Sequence, residues 1–381
     1  MESLYIMSVS QAVRKTVSVT GHLFDSMTLS KVLDLIQNQG GDFEMKDLEI
    51  GASKQSFSSI KIDVLAPTDE LLQAILGQLE PYINKVPLSD HPTKKLQMVE
   101  YQTKEKSYPL GKDDAHPSIL MSPPDYFTVD YAINPWMQGV GAVDVERAKK
   151  QWDGLYQAIE NAGAKMYTLD PVKGLPDLVF TANAAFVYGN QAVTAHYKHP
   201  ERQGEEPYGQ KWFEDHGYEV TALPDHVYFE GSGDALIWKD RVFAGYKMRS
   251  SLAAHSFLGA KSGLPIMALE LSDPKFYHVD VCLCPLTHDY LIWYPGAFDE
   301  YGRSVIEANV PEEKRIAVSE AEANLFACNA VCVGETVIFN QGSTQLAEDL
   351  KAKGFNPVQV DMSEFLKAGG SAKCLTVRLD H

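Results

Sequence analysis

Apolar positions near the start of the chain follow two patterns, one typical of helices and one typical of strands. Those in the range 29–36 recur at i, i+3, i+4 and i+7, and Gly-Gly follows at 40–41, which predicts an amphipathic helix that ends there. Thr68 and two acidic residues open a second helical stretch. Apolar residues alternate at 16–20 and 60–64, as in strands. With a last strand near Met98, the order predicts a small ferredoxin-like α+β domain.

Residues 103–117 are polar and charged, and proline and glycine interrupt them. Such a stretch is typical of a linker between domains. A chain of 381 residues also exceeds one typical core. We therefore predict a first domain over residues 1–110 and a second over residues 111–381.

The second part of the chain contains mostly short elements. We predict a strand at 119–121, a helix over 143–161 and paired strands at 178–188 and 193–197. A hairpin is expected over 235–246, turning at Lys239–Asp240. No fixed-period repeat is evident, and the mixture of elements indicates an α/β or α+β class.

Charge and cysteine content narrow the functional classes. The chain has 34 Lys and Arg against 51 Asp and Glu, a net charge of −17, which argues against nucleic acid or an anionic membrane as partner. Its five cysteines are odd in number and lack zinc-site spacing, so neither a disulfide framework nor a metal site is expected. Without a signal peptide or an apolar run of about 20 residues, a cytoplasmic enzyme is expected.

Polar residues interrupt apolar stretches in four places. They are Met121–Asp125 followed by Ile133–Trp136, Asp177–Asn183, Phe229–Asp234, and Tyr277–Asp280 taken together with Gly369–Cys374.

The last of these could form a nucleophilic site. A hydrolytic cysteine needs a thiolate and a nearby proton carrier. Cys374 follows a Gly-Gly turn that can present a side chain at a pocket. His278 and Asp280, two residues apart on an expected strand, would share one face. A histidine on an apolar strand is, however, more often a satisfied core residue.

The other segments carry groups suited to a small charged ligand. Glu230 and Asp234 flank Gly-Ser-Gly and could bind a cation, or they could form an ordinary surface turn. Asn183, at the end of an apolar strand, must find a partner in the backbone or in a ligand. Arg202 and Arg249 could hold a carboxylate.

Together, the order Phe180–Asn183, Glu230–Asp234, His278–Asp280 and Cys374 resembles the guanidino-group-modifying (pentein) superfamily. That superfamily includes arginine deiminase, dimethylargininase and amidinotransferases. The resemblance covers about residues 118–381. It implies an α/β-propeller of five ββαβ units with the active site at its hub.

Two departures point to one branch of that superfamily. Deiminases carry Asp where this chain has Asn183, and they lack the extra residue within Glu230–Asp234. The chain instead resembles arginine dihydrolases, which convert arginine to ornithine, two ammonia and carbon dioxide. The N-terminal part is similar to a small domain of bifunctional lysine-degradation proteins.

The resemblance also implies roles for individual residues. Cys374 would attack the guanidinium carbon and His278 would transfer protons, while Glu230 and Asp280 would hold the guanidinium. Catalysis would also depend on Asn183. The substrate-binding set is Asn134, Arg202, Arg249, Asp234 and Ala368, with the two arginines binding the α-carboxylate.

No metal or organic cofactor is expected, and the expected partner is the small molecule L-arginine. Arginine deiminase, an amidinotransferase and a non-catalytic arginine sensor remain alternatives. The complete set of Glu, His, Asp and Cys argues against a sensor, which has no need of a nucleophile. The oligomeric state stays open, a homo-oligomer included.

Overall fold

The N-terminal part of the chain forms a three-stranded antiparallel sheet with two helices. In a computed structural model, residues 13–21, 23, 27–49, 58–83 and 116–381 are described. The first elements are β1 Val13–Gly21, α1 Thr28–Asn38, β2 Asp42–Glu49, β3 Ser58–Ala66 and α2 Asp69–Leu79. The sheet order is β1-β3-β2, and both β1 and β2 pair antiparallel with β3.

These elements confirm the predicted strands and helices up to residue 79. Val32 and Ile36 of α1 are buried, as the apolar spacing requires. Thr68 caps α2 because its hydroxyl accepts a hydrogen bond from the Leu71 amide. The predicted strand near Met98 and the predicted boundary between residues 110 and 111 lie outside the described residues.

The second part of the chain is built from fifteen strands and nine helices among the described residues. Its strands are β4 Ser118–Met121, β5 Lys165–Thr168, β6 Ala185–Tyr188, β7 Gln191–Thr194, β8 Glu219–Thr221, β9 Ala235–Trp238, β10 Arg241–Tyr246, β11 Ile266–Glu270, β12 Leu283–Pro285, β13 Leu291–Trp293, β14 Arg315–Ala317, β15 Val331–Val333, β16 Thr336–Asn340, β17 Asn356–Val360 and β18 Val377–Arg378. Its helices are α3 Val145–Asn161, α4 Pro200–Gln203, α5 Glu206–Asp215, α6 Ala254–Ser262, α7 Val279–Cys282, α8 Glu300–Asn309, α9 Glu320–Ala323, α10 Thr344–Ala352 and α11 Ser363–Leu366. The class is therefore α/β.

These strands form five sheets with the same internal pattern. The orders are β18-β4-β5, β6-β7-β8, β9-β10-β11, β12-β13-β14 and β15-β16-β17. In each sheet the first pair is antiparallel and the second pair is parallel. Each parallel pair is joined through at least one helix, as a parallel crossover requires.

One strand from every sheet borders a common internal space. Residues of β6, β9, β12, β15 and β18 line a cavity of about 240 Å³, which we call the hub cavity. The five sheets thus meet around a single space, and their outer strands and helices enclose the apolar core.

One predicted pair of strands was partly wrong. Only Ala185–Tyr188 forms the first strand, which pairs with Gln191–Thr194, whereas 176–179 and 181–183 form two 3-10 turns. The Thr181 hydroxyl donates to the carbonyls of Leu120 and Leu375, and Pro176 has no amide hydrogen for a ladder. The contacts of Thr181 and the missing amide hydrogen of Pro176 therefore keep this apolar segment out of a sheet. The predicted hairpin at 235–246 and the strand at 119–121 are confirmed.

The N-terminal part rests on the sheet β9-β10-β11. Its apolar cluster includes Tyr246 of β10 and Ala268 of β11. The Lys31 ammonium lies 2.5 Å from the Glu270 carboxylate and also pairs with Asp299. The contact therefore combines apolar packing with largely buried ion pairs. No helix in the described ranges is long and apolar enough to cross a membrane.

Candidate active site

The predicted site residues lie at the same structural position in different sheets. Short helical turns end just before the inner strands: Thr181–Asn183 before β6, Gly231–Gly233 before β9, α7 before β12 and Lys373–Leu375 before β18. In the fifth sheet, Asn329 stands two residues before β15. Because the inner strands surround one cavity, these turns meet at one end of it and bring distant residues together.

Cys374 is fixed by an asparagine. The Asn329 side-chain amide donates to Cys374 Sγ at 3.1 Å, and its carbonyl accepts the Cys374 backbone amide at 3.1 Å. Asn329 itself is fully buried and also donates to the Asp280 carbonyl at 3.0 Å. Burial and the charge of Asp280 raise the pKa of the Cys374 thiol above its usual value. The Asn329 hydrogen bond and Lys373 oppose this effect only in part.

Asp280 faces the thiol and not the histidine. Its Oδ1 lies 3.9 Å from Cys374 Sγ, and burial raises the pKa of the carboxyl to about 7. The expectation that His278 and Asp280 share one face of a strand was wrong. His278 precedes the short helix α7, and Asp280 lies within it, because the segment turns at the end of the hub cavity instead of continuing a ladder.

The carboxylate that contacts His278 is Glu230. His278 Nε2 lies 2.8 Å from Glu230 Oε2, and the Arg249 guanidinium donates to the same oxygen at 3.0 Å. Burial alone would raise the pKa of Glu230, but Arg249 and His278 hold it well below its usual value. The histidine is thus oriented by an ionised carboxylate, which suits a proton carrier.

Asp234 lies behind this group, outside the wall of the site. The Ser250 hydroxyl donates to its Oδ2 at 2.6 Å, and the Val279 amide donates to its Oδ1 at 3.1 Å. Ser250 Oγ in turn accepts the Glu230 amide. Both oxygens are engaged by the protein, so this placement favours a positioning role over the predicted contact with substrate.

A small pocket of about 10 Å³ opens onto Cys374, and we call it the site pocket. Its wall contains the predicted residues Asn134, Asn183, Arg202, Arg249, His278 and Ala368. Asn134 donates to the Ala368 carbonyl at 3.0 Å and accepts the amides of Trp136 and Met137. Gly369 has φ of 81°, and a Cβ there would meet Asn134, so this corner requires glycine.

Asn183 and Arg202 form one buried hydrogen-bonded unit. Arg202 donates to Asn183 Oδ1 at 2.8 Å and binds Glu205 through two nitrogens at 2.9 and 2.7 Å. The Asn183 amide donates to the Glu230 carbonyl at 3.0 Å. The asparagine predicted from the sequence to need a partner therefore links the arginine to the Glu230 segment.

Two residues of the site were missed as individual candidates. Asp177 lies in the pocket wall with Tyr131 donating to its Oδ2 at 2.8 Å, and burial raises its pKa against the opposing effect of Arg202. Asn329 is the residue that holds Cys374. The available signal was a polar residue within an apolar stretch, since both interrupt such stretches.

The described part of the site leaves several buried acceptors unsatisfied. Asp177 Oδ1, Glu230 Oε1 and Asp280 Oδ2 are buried and have no hydrogen-bond partner among the described residues. Unpaired buried carboxylate oxygens are costly unless a donor arrives. The arrangement is suited to a ligand rich in cationic N–H donors, placed beside a thiol and a histidine.

Family models match both parts of the chain. Residues 124–380 match the model described as N,N dimethylarginine dimethylhydrolase, eukaryotic, and residues 14–108 match the LOR/SDH bifunctional enzyme conserved region. The second match agrees with the predicted similarity to lysine-degradation proteins.

Individual relatives are similar to the second part. The chain is 49% identical over 265 residues to the bifunctional arginine dihydrolase/ornithine cyclodeaminase AgrE of Nostoc sp., which covers 68% of this chain and 37% of that protein. It is 41% identical over 259 residues to the N(G),N(G)-dimethylarginine dimethylaminohydrolase of Mycobacterium tuberculosis. That match covers 68% of this chain and 84% of that protein. The chain thus spans less than two fifths of the first curated relatives that it matches.

Solved structures agree with this similarity. The product-bound N-terminal domain of ArgZ, a cyanobacterial arginine dihydrolase, matches with a TM-score of 0.69 at 47% identity, covering 70% of this chain and 98% of that one. A variant of that domain, covalently bonded to a reaction intermediate, matches equally well.

Asn329→Ala should slow alkylation of Cys374 by iodoacetamide at neutral pH, because the thiolate loses its amide donor. A hydrogen bond to a charged group contributes roughly 1.5–3 kcal/mol, or about 10- to 100-fold in thiolate population. Peptide mass mapping would separate Cys374 from the other cysteines. Asn324→Ala, which changes a partly exposed asparagine that donates to the Glu320 carbonyl, is the control. An unchanged rate in Asn329→Ala would contradict this role.

Proposed function

The chain belongs to the N,N-dimethylarginine dimethylhydrolase family, and on that premise we propose that it hydrolyses free L-arginine to L-ornithine, two ammonia and carbon dioxide. The observation that carries the proposal is the position of Cys374 Sγ, 3.9 Å from a buried carboxylate of Asp280 that keeps one oxygen unpaired. The similarity to AgrE and ArgZ supports the same reaction.

We propose that arginine lies with its guanidinium at Cys374. The unpaired oxygens of Asp280 and Glu230 would accept guanidinium N–H groups. Arg249 and Arg202, in the pocket wall, would bind the α-carboxylate. Asp177 adds an anionic group at the same wall, suited to the α-ammonium. Asn134 and Ala368 would complete the wall.

The first hydrolysis would begin at the thiol. A bound guanidinium lowers the pKa of Cys374 by placing a positive charge beside it. Sγ then forms a bond to the guanidinium carbon, His278 protonates one nitrogen, and the C–N bond breaks to release ammonia. The product of this half is a covalent amidino adduct. Water, deprotonated by His278, adds to its carbon, and the C–S bond breaks to give enzyme-bound citrulline.

The second hydrolysis would repeat the same steps on the urea. Sγ attacks the ureido carbon, a second ammonia leaves, and a carbamoyl adduct on sulfur remains. Water cleaves that adduct, and the carbamic acid formed on the ornithine nitrogen loses carbon dioxide. Two waters are consumed, and the atoms balance as ornithine, two ammonia and carbon dioxide. Glu230 keeps His278 oriented throughout through its 2.8 Å contact.

The architecture proposed for this chemistry is an α/β-propeller of five ββαβ units. The shared antiparallel-parallel pattern of the five sheets and their common cavity support it. For the N-terminal part we propose a ferredoxin-like domain, which its β1-β3-β2 order supports. The domain limits 1–110 and 111–381 remain part of this proposal.

Mass spectrometry of products from arginine tests the proposed reaction directly. We expect ornithine as the main amino acid, with two ammonia formed for each ornithine. Addition of glycine should yield no guanidinoacetate, because water is the acceptor. Citrulline as the stable end product would instead identify a deiminase, and no product at all would favour a binding protein.

Cys374→Ala should abolish turnover while arginine binding persists. The thiol would form the covalent bond, whereas affinity would come from the carboxylates and arginines around the site pocket. Calorimetric titration with arginine and an ammonia assay measure the two properties separately. Wild-type enzyme quenched during turnover should carry added mass on Cys374. Near wild-type ammonia release by the variant would contradict the assignment of Cys374 as the nucleophile.

Asn183→Asp should shift the product from ornithine toward citrulline while arginine is still consumed. A carboxylate at this position cannot donate to the Glu230 carbonyl, and it would meet a urea oxygen lone pair to lone pair. Such a buried mismatch costs roughly 1–3 kcal/mol, or about 5- to 150-fold in retention of citrulline. Asn183→Ser is the uncharged comparison. Wild-type product ratios in both variants would show that Asn183 is not the determinant.

A further inference from the structure

The hub cavity is much larger than the site pocket and lies on the other side of the turns that carry the catalytic residues. At about 240 Å³, it compares with about 10 Å³ for the site pocket. Strands of all five sheets line it, and its lining includes exposed His288 and Lys239 and partly exposed Asp289 at the turns between strands. The cavity therefore reaches solvent at its outer end.

The inner end of the hub cavity comes within one layer of side chains of the nucleophile. Lys373, which lines the cavity, is the chain neighbour of Cys374, and Ala330 is the neighbour of Asn329. Lys373 Nζ donates to the Ser232 hydroxyl at 3.3 Å and to the Thr376 carbonyl at 3.0 Å. Both of these partners also line the cavity. A hydrogen-bonded polar group thus lines the hub cavity beside the segment that carries Cys374.

The proposed reaction requires exchange of several small molecules with solvent while the substrate occupies the site pocket. Each turnover consumes two waters and releases two ammonia and one carbon dioxide. The amino-acid part of the substrate has to stay bound between the two hydrolyses. A single water needs roughly 10–15 Å³, so the site pocket, at about 10 Å³, must widen to admit arginine, and the bound substrate would then fill it.

We propose that the hub cavity is the passage by which water reaches Cys374, and ammonia leaves it, while the substrate fills the site pocket. The inference rests on the proposed function. Ser232, Thr376 and Lys373 supply hydrogen-bonding groups at the inner end, so water can be held there without apolar contact. The Lys373 side chain lies at this end of the hub cavity, and its rotation would open the path.

Cys332 is the position from which the passage can be blocked without touching the site pocket. It is partly exposed, lines the hub cavity beside Thr287, and is absent from the wall of the site pocket. The series Cys332→Ala, wild type, Cys332→Leu and Cys332→Trp fills the cavity progressively. Cys332→Ala is the matched control, because it removes the thiol and adds no bulk.

We expect kcat to fall progressively along this series, by about tenfold or more for Cys332→Trp. Because a slower hydrolysis of the adduct lowers KM for arginine together with kcat, KM should fall along the series, whereas the Kd for arginine should be equal in Cys374→Ala with and without Cys332→Trp. The Cys374 adduct should accumulate in quenched samples, since hydrolysis lacks water. Folding is checked by thermal melting.

A second measurement avoids any change of sequence. Methyl methanethiosulfonate would add a methylthio group to Cys332 while bound ornithine shields Cys374, and Cys332→Ala treated identically is the control. Unchanged turnover after verified modification, or in folded Cys332→Trp, overturns the proposal. The proposed function fails separately: wild-type enzyme would then form no ornithine from arginine, whatever the state of Cys332.

Discussion

The site depends on keeping one fully buried carboxylate ionised without water. Glu230 has no exposed surface, and stripping a carboxylate of its hydration costs several kcal/mol. Arg249 and His278 offset that cost by approaching the same oxygen at 3.0 and 2.8 Å. Three segments separated along the chain are therefore fixed relative to one another, since displacement of any of them would leave a buried charge unpaired.

The remaining polar groups of the site satisfy one another around this contact. Asn183 connects the Arg202–Glu205 pair to the Glu230 backbone, and Ser250 connects the Glu230 amide to Asp234. Because these groups are already paired, few buried acceptors remain for a ligand. The acceptors that remain would suit the guanidinium of the proposed substrate, which is rich in N–H donors.

The five-sheet arrangement explains why these groups meet at all. Each inner strand is short, and a turn precedes it, so every sheet delivers a few side chains to the same end of the hub cavity. Cys374 lies at the narrow site pocket, and its neighbour Lys373 lines the wide hub cavity. In the proposed function, this division would separate recognition of the amino acid from exchange of water and ammonia.

The sequence by itself determined both N-terminal helices, the Thr68 cap of the second one, and the residues Cys374, His278, Glu230 and Asn183 as candidates, because spacing and polarity along the chain indicate them. It left the class open as α/β or α+β. It could not determine that Glu230 and not Asp280 contacts His278, that Asn329 holds Cys374, or that residues 176–183 turn instead of forming a strand. These features were decided by contacts between different sheets, over separations of 45 to 48 residues for the first two. A polar side chain in an apolar segment indicates only that it needs a hydrogen-bond partner. The packing of the complete fold determines which residue that partner is.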